Sequence, residues 1–251
     1  MRALRPSPAL FVGAALLASC ATPTVDLDRK LTNATTVTFG GVWPIDPGRD
    51  PLGVYPTVES ALRDPESEPP IRPVIELQLS YTFADFEQRL ANGESLTLED
   101  TTFSGPATLD ADVQLGTGWL AVGRGVALSD ALHARGVVGL ELTHFDFRLR
   151  DSLQAERQVT NSIGPMVGAR LGARPLDVLE FSLEGNASLG YAEDATVETR
   201  EWRALASLAL GPVTTLFAGW RELRYIERRS DASADVLLDL SGPVFGLRSG
   251  F

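Results

Sequence analysis

The sequence has few of the residues on which several kinds of site depend. Its 251 residues include one cysteine, Cys20, and two histidines, His133 and His144. Apart from Cys20, no residue can form a disulfide or supply a thiol, and a His-rich metal site is not expected. The net charge of -11 argues against a nucleic-acid partner, because binding phosphates needs a basic surface. No Gly-rich phosphate loop occurs, and no cofactor is expected.

Long apolar runs are also missing. The N-terminal run from Ala9 to Ala18 is shorter than the roughly 20 residues that a transmembrane helix needs. It follows the positive residues Arg2 and Arg5 and ends in small residues, which is the arrangement of an export signal. The pattern predicts a cleaved signal peptide over residues 1–19.

The end of this segment and the residue after it, Leu17-Ala18-Ser19-Cys20, resemble the lipobox of bacterial lipoproteins. In that family the cysteine thiol is diacylated and becomes the new N-terminus. The resemblance implies lipidation of Cys20 and handling by the lipoprotein export machinery. Ala21, rather than Asp, follows the cysteine, which in that family implies sorting to the outer membrane. An ordinary signal peptide cut near Ala21 is the alternative.

Residues 20–72 are rich in proline and acidic residues and are predicted to form an irregular periplasmic tether, because proline removes backbone donors and fixes φ. Within them, Thr36 to Trp43 contains strand-forming residues. We expect this segment to lie outside the main wall of strands, because a ninth strand would put the two ends of the chain on opposite sides of a membrane.

Residues 73–251 alternate between apolar and polar residues with the period of two that is typical of half-buried strands. Ile75 to Phe83 is the clearest case. In Ala134 to Leu149 the apolar residues change parity, which predicts a bulge near Thr143. The predicted fold is all-β: an eight-stranded antiparallel up-and-down β-barrel with an irregular N-terminal segment. A mean hydropathy of +0.02 is compatible with a membrane barrel, in which only alternate residues meet lipid.

The connections and the C-terminus resemble those of small bacterial outer-membrane barrels of the OmpA type. Long polar connections alternate with short turns, and Phe245, Leu247 and Phe251 are similar to the terminal strand that the barrel assembly machinery reads. The resemblance implies a transmembrane β-barrel in the outer membrane of a Gram-negative bacterium, in contact with outer-membrane lipid. It places both chain ends in the periplasm, with the lipid of Cys20 on that side.

Charged residues opposite the predicted apolar faces are expected to form a salt-bridge network that fills a narrow lumen. Aromatic residues near strand ends are expected to form interfacial girdles. The predicted network consists of Glu76, Asp110, Asp112, Glu141, Arg170, Glu180, Glu184, Arg203, Glu222, Arg224 and Arg248, and the predicted girdles of Tyr81, Trp119, Tyr191, Trp202 and Tyr225.

These features predict a structural or surface-interaction role, with no catalytic, cofactor-binding or metal-binding residue. One alternative is a lipid-tethered soluble barrel, similar to lipocalins, whose apolar face surrounds a hydrophobic ligand. A second is a barrel enzyme that modifies lipid A. Lipid A deacylases carry a His and a Ser two positions apart, but Asp146 follows His144 here, so Ser152 or Ser162 would have to act as the nucleophile.

Overall fold

The computed structural model describes residues 27–44, 73–129, 131–211, 213–230 and 235–250, and strands make up nearly all of them. Strand formation follows the alternation of the sequence, because successive side chains of a strand point to opposite faces. The strands are β1 Leu27–Leu31, β2 Thr35–Pro44, β3 Pro73–Leu90, β4 Ser95–Leu98, β5 Thr101–Ser104, β6 Ala107–Ala127, β7 Leu132–Arg150, β8 Ala155–Leu176, β9 Leu179–Tyr191, β10 Ala195–Ala209, β11 Thr214–Arg229 and β12 Val236–Gly250.

Ten strands form one mixed sheet in the order β1-β12-β11-β10-β9-β8-β7-β6-β3-β2, and β4 pairs with β5 in a separate hairpin. An additional parallel pairing joins β12 to β2, so one edge of β12 pairs first with β1 and then with β2. Each strand in the series from β2 to β12, apart from the hairpin, therefore has a hydrogen-bonded neighbour on both sides.

The expectation of an eight-stranded antiparallel up-and-down barrel is wrong. Residues 27–44, which were expected to belong to an irregular tether, form β1 and β2 within the sheet. Both run parallel to β12, with Leu31 beside Leu240 and Thr36 beside Val244. Between these pairs the register shifts by one residue at positions 32–34, so β1 and β2 follow one edge of β12 in succession.

The parallel pairing puts the two ends of the described chain at opposite ends of the sheet. Leu27 lies beside Val236, where β12 begins, whereas Gly250 lies where β12 finishes. We call the first end the hairpin end, because the β4–β5 hairpin and residues 151–154, 192–194 and 230–235 connect strands there. The other is the turn end, where the short segments 128–131, 177–178 and 210–213 connect strands and where residues 45–72 lead from β2 to β3.

The bulge predicted near Thr143 is also wrong. β7 pairs residue for residue with β6 and with β8 across this position. The register shift in this part of the sheet lies between Ala173 and Leu176, where β8 meets β9. The apolar residues of β7 change parity for a different reason, which is that both faces of the sheet change polarity halfway along the strands.

Candidate functional site

β7 shows this change of polarity most clearly. In its turn-end half, Val138 and Leu142 are 62% and 59% exposed, while Glu141 on the opposite face is buried. Beyond Thr143 the pattern reverses: Phe147 is fully buried and Arg148 is exposed. The face that carries Glu141 is the inner one, because buried side chains from seven strands meet on that side around a single cavity.

Nine strands remain between β2 and β12 when the β4–β5 hairpin is left out. In the turn-end half, the outer face of each of these strands carries exposed apolar side chains. We call this surface the apolar belt. Its largest members are Phe39, Leu77, Leu79, Phe83, Leu120, Val138, Leu140, Leu142, Ile163, Val167, Leu171, Phe181, Leu183, Trp202, Leu208, Leu216, Trp220, Phe245 and Leu247.

The outer face becomes charged towards the hairpin end. We call this second zone the charged collar, and its members are exposed or half-exposed. They are Asp85, Glu87, Arg89, Asp110, Asp112, Arg148, Arg150, Arg157, Arg200, Glu222, Arg224 and Arg228.

Four residues predicted to point inward therefore lie on the outer face: Asp110, Asp112, Glu222 and Arg224. Their apolar neighbours on β6 and β11, such as Leu115 and Tyr225, are the inward residues in this half of the sheet. Burial of those apolar side chains leaves the charged ones in solvent, which is the arrangement of lower energy.

An apolar cluster fills the inside of the hairpin-end half. Phe145 stacks on Tyr225 with ring centroids 4.4 Å apart, and on Phe147 at 5.9 Å. The β4–β5 hairpin adds Phe103 and Leu96, which are 0% and 1% exposed. The hairpin therefore closes this half of the interior with packed side chains.

One buried acid lies within this cluster. Glu227 is 0% exposed and accepts hydrogen bonds from Gln158 and Thr160, each at 2.8 Å, and from the Tyr225 hydroxyl at 2.7 Å. Arg229 Nη1 lies 3.1 Å from it. Burial, followed by the neighbouring Glu227, raises the pKa of Tyr225 well above its ordinary value. Tyr225 thus remains a neutral donor, and the acid has four partners.

The inner face of the turn-end half carries a network of ion pairs, which we call the inner charge cluster. Glu184 is its centre and accepts three guanidinium groups: Arg203 Nη2 at 2.8 Å, Arg248 Nη2 at 3.1 Å and Arg170 Nη1 at 3.3 Å. A carboxylate with several guanidinium partners keeps its charge inside a protein, because the attraction offsets much of the desolvation cost.

Further pairs extend the inner charge cluster on both sides of Glu184. Glu201 accepts Arg203 at 3.0 Å and Arg221 at 2.9 Å. Arg170 and Arg174 both contact Glu180, and Arg135 contacts Glu76.

Seven predicted network residues lie on this inner face: Glu76, Glu141, Arg170, Glu180, Glu184, Arg203 and Arg248. Glu141 accepts hydrogen bonds from Ser188 and Thr199 rather than from an arginine. Sequence reasoning missed Arg135, Glu201 and Arg221. Arg135 and Glu201 share the parity of residues predicted to face inward, whereas Arg221 has the parity of Phe217 and Tyr225, which were predicted to face outward.

A cavity of about 30 Å³ remains inside the inner charge cluster. Such a volume holds only a few water-sized atoms. The interior of the turn-end half is thus filled mainly by its own charged side chains.

The predicted aromatic girdle residues divide between the two faces. Tyr81, Tyr191 and Trp202 are exposed on the outer face. Trp119 and Tyr225 are 7% and 0% exposed on the inner face, which contradicts their expected place. Trp119 points inward at the level of the cavity, and Tyr225 belongs to the apolar cluster.

The proposed catalytic constellation is not assembled around His144. Its Nδ1 lies 2.7 Å from Asn161 Oδ1 on the outer face. Ser162 is buried on the inner face of the same strand as Asn161, so it cannot reach the imidazole. His133 is buried near the turn end, 3.7 Å from Glu180.

Asp146 also has a partner other than His144. Arg157 donates two hydrogen bonds to its carboxylate, at 2.8 Å and 2.7 Å. These bonds lower the pKa of Asp146 below its ordinary value, and the charges of Arg157 and Arg148 act in the same direction, against burial. Asp146 and Arg157 therefore form a charged pair on the outer face, beside the charged collar.

Cys20, the predicted lipidation site, and Phe251, part of the predicted barrel-assembly signal, lie outside the described residues. Phe245 and Leu247 lie in the apolar belt, where they are 49% and 41% exposed. Within the described ranges, no helix is long and apolar enough to span a membrane. In the same part of the chain, no group of three or more His, Cys, Asp or Glu residues is placed to hold a metal ion.

No protein family, curated protein or solved structure matches the chain.

Proposed function

We propose that this chain is an outer-membrane lipoprotein whose sheet is embedded in the bilayer, with a structural or surface-binding role rather than a catalytic one. The apolar belt is the observation that carries the proposal. Among the described residues, 33 large apolar side chains are at least 38% exposed. Soluble monomers rarely expose contiguous apolar patches of more than a few hundred Å².

The backbone supports the same environment. Hydrocarbon offers no hydrogen-bonding partner, so a sheet edge facing lipid is very costly. β2 pairs with both β3 and β12, and the strands between them have two neighbours each. This pairing leaves the belt with no unpaired strand edge.

The height of the belt fits a bilayer. On β7 it extends from Leu132 to Leu142, which is about 33 Å along a strand at about 3.3 Å per residue. A tilt of about 40°, as in outer-membrane proteins, would give a belt about 25 Å tall. The apolar bands of such proteins have about this height.

The interior argues against a soluble, ligand-binding barrel. In such a protein the apolar face surrounds the ligand, and the cavity measures several hundred Å³. Here the inner face carries the inner charge cluster in one half and a packed apolar cluster in the other. The cavity of about 30 Å³ has no room for a hydrophobic ligand.

The orientation follows from the two ends of the sheet. Outer-membrane proteins have short turns in the periplasm and longer loops outside. We propose that the turn end, which carries Phe245 and Leu247, faces the periplasm. Leu27 lies at the hairpin end, and the seven residues from Cys20 to Leu27 span at most about 25 Å. The lipid would then lie on the outer side, in place of the periplasmic side expected from the sequence.

A charge placed in the belt tests the proposal. We expect Leu140→Arg to reduce the free energy of unfolding in lipid vesicles by about 1–3 kcal/mol, because Leu140 lies between the bilayer midplane, where an arginine costs about 2–4 kcal/mol, and the interface, where it costs about 0–1 kcal/mol. Leu153→Arg is the matched control, because Leu153 is 92% exposed in the connection 151–154. Equal stability of the two variants, or a more stable Leu140→Arg protein, would contradict membrane embedding.

A Cys20→Ser variant separates embedding from lipid anchoring. If the sheet itself is embedded, the exported variant should stay in outer-membrane fractions after carbonate washing and should migrate differently on gels with and without heating. Recovery of the whole variant population in the soluble periplasmic fraction would show that the lipid alone holds the protein to the membrane.

A further inference from the structure

We propose that the cavity inside the inner charge cluster binds one small monovalent anion, of which chloride is the simplest example. Three observations on its lining carry this inference: an excess of positive charge, unpartnered N–H donors, and a volume that excludes larger anions.

The charge balance of the cavity is positive. Four arginines and three glutamates line it, which leaves one net positive charge. Arginine does not deprotonate in proteins, so this excess cannot be removed by loss of a proton. Three of the arginines contact Glu184, and two of these have a second carboxylate partner, because Arg170 contacts Glu180 and Arg203 contacts Glu201. Counting every pair of the inner charge cluster, six arginines face four glutamates, so an excess of positive charge remains. An uncompensated charge in a buried site is costly, and an anion would remove that cost.

The donors support an anion in the same place. Trp119 Nε1, Arg203 Nη1 and Arg170 Nε are buried and make no hydrogen bond, and all three side chains line the cavity. Trp119 and Arg203 are 7% and 3% exposed. Asn186 Oδ1 on the same lining also makes no hydrogen bond, so the unpartnered groups are mainly N–H donors. Buried N–H groups are nearly always paired, so this excess of donors indicates an acceptor in the cavity. A halide accepts hydrogen bonds from several directions.

The size of the cavity limits the ligand. About 30 Å³ accommodates a single small ion with little or no accompanying water. Carboxylic acids with a carbon chain, sugar acids and phosphate esters are too large. The ligand class is therefore a small inorganic anion.

The test uses the purified full-length protein, with unfolding measured in sodium chloride and in sodium gluconate of equal ionic strength. Gluconate provides the same screening but is too large for the cavity. Above the dissociation constant, each tenfold increase in chloride should raise the unfolding midpoint by about 3–5 °C relative to gluconate.

Two variants locate the effect. Trp119→Phe removes one N–H donor and keeps an aromatic ring, and it should shift the chloride dependence to at least severalfold higher concentrations. Arg200→Gln, whose side chain is 64% exposed on the outer face, should leave the dependence unchanged. An unchanged dependence in Trp119→Phe would place any anion elsewhere and overturn the proposal.

Crystals of the wild-type protein grown in sodium bromide give a direct measurement. An anomalous peak within hydrogen-bonding distance of Trp119 Nε1 and Arg203 Nη1 is the expected result. Identical unfolding curves in chloride and gluconate, without a bromide peak, would show that only water fills the cavity. Neither measurement depends on the proposed membrane location, so failure of one proposal leaves the other to its own test.

Discussion

At the scale of single residues, Glu184 is the carboxylate on which the inner charge cluster depends most. It accepts Arg170, Arg203 and Arg248 together, with distances from 2.8 Å to 3.3 Å. Glu184→Gln would leave three guanidinium groups without their shared counter-charge. We expect the free energy of unfolding, measured by denaturant titration, to fall by about 3–5 kcal/mol.

The matched control for Glu184→Gln is Glu198→Gln. Glu198 also pairs with an arginine, Arg200, but that side chain is 64% exposed. Surface ion pairs contribute about 1 kcal/mol or less. Similar losses in the two variants would contradict the central role of Glu184.

Asp146 gives a prediction about pH. Hydrogen bonds from Arg157 lower its folded-state pKa below the ordinary value of 3.8. A lowered pKa means that the carboxylate contributes stability above pH 4 and loses that contribution as the pH falls through the folded pKa. The stability difference between wild type and Asp146→Asn should be constant near neutral pH and shrink below pH 4.

Denaturant titrations from pH 7 to pH 2 would measure this difference. Asp110→Asn is the control, because Asp110 is 62% exposed and its nearest Arg150 atom is 3.8 Å away. A difference that grows as the pH falls would contradict the assigned pair.

At the scale of elements, β12 lies close to the residues that link β1 to β2, and this close approach requires a glycine, Gly242. A Cβ on Gly242 would overlap the carbonyl group of Ala34. Ala34 N also hydrogen-bonds to Ser241 O at 3.2 Å, so the backbone cannot move away without losing that bond. Gly242→Ala should reduce the free energy of unfolding by more than 1 kcal/mol.

Gly136→Ala is the control for Gly242→Ala, because a Cβ on Gly136 meets nothing within 4 Å. It is a strand glycine on the exposed outer face of β7, so alanine should be neutral or slightly stabilising. If both substitutions change the free energy of unfolding equally, the close approach of Gly242 to Ala34 is not the reason for the loss of stability.

At the scale of the whole molecule, alternation predicted eight of the ten strands that follow residue 72, missing β4 and β5, and it could not predict which face lies inside. On β3 the expected outward face, Ile75 to Phe83, is exposed in the structure. On β6 and β11 the prediction is wrong, because apolar residues that were expected to face outward, such as Leu115 and Tyr225, are buried on the inner face. A local period of two contains no information about which face lies inside.

The inclusion of residues 27–44 in the sheet was missed for a different reason. Their strand-forming composition was recognised in Thr36 to Trp43, but the proline-rich sequence around it and the assumption of an even strand number argued against including it. With β2 included, the series from β2 to β12 has nine strands, and the two ends of the described chain do lie at opposite ends of the sheet. An odd number of strands of alternating direction brings β2 and β12 together as a parallel pair.

This pairing gives a prediction about topology. In a Cys20→Ser background, Asp28→Cys and Ser152→Cys should react with an impermeant maleimide from the same side of the membrane, and Asp177→Cys from the other. Asp28 lies in β1 beside Leu237 at the hairpin end, Ser152 lies in the hairpin-end connection 151–154, and Asp177 lies in a turn at the opposite end. All three are exposed, so reactivity reports the side rather than burial.

In intact cells, labelling of Asp28→Cys and Ser152→Cys alone would place the hairpin end outside. Labelling of Asp28→Cys and Asp177→Cys from the same side of the membrane would contradict the parallel β1–β12 pairing.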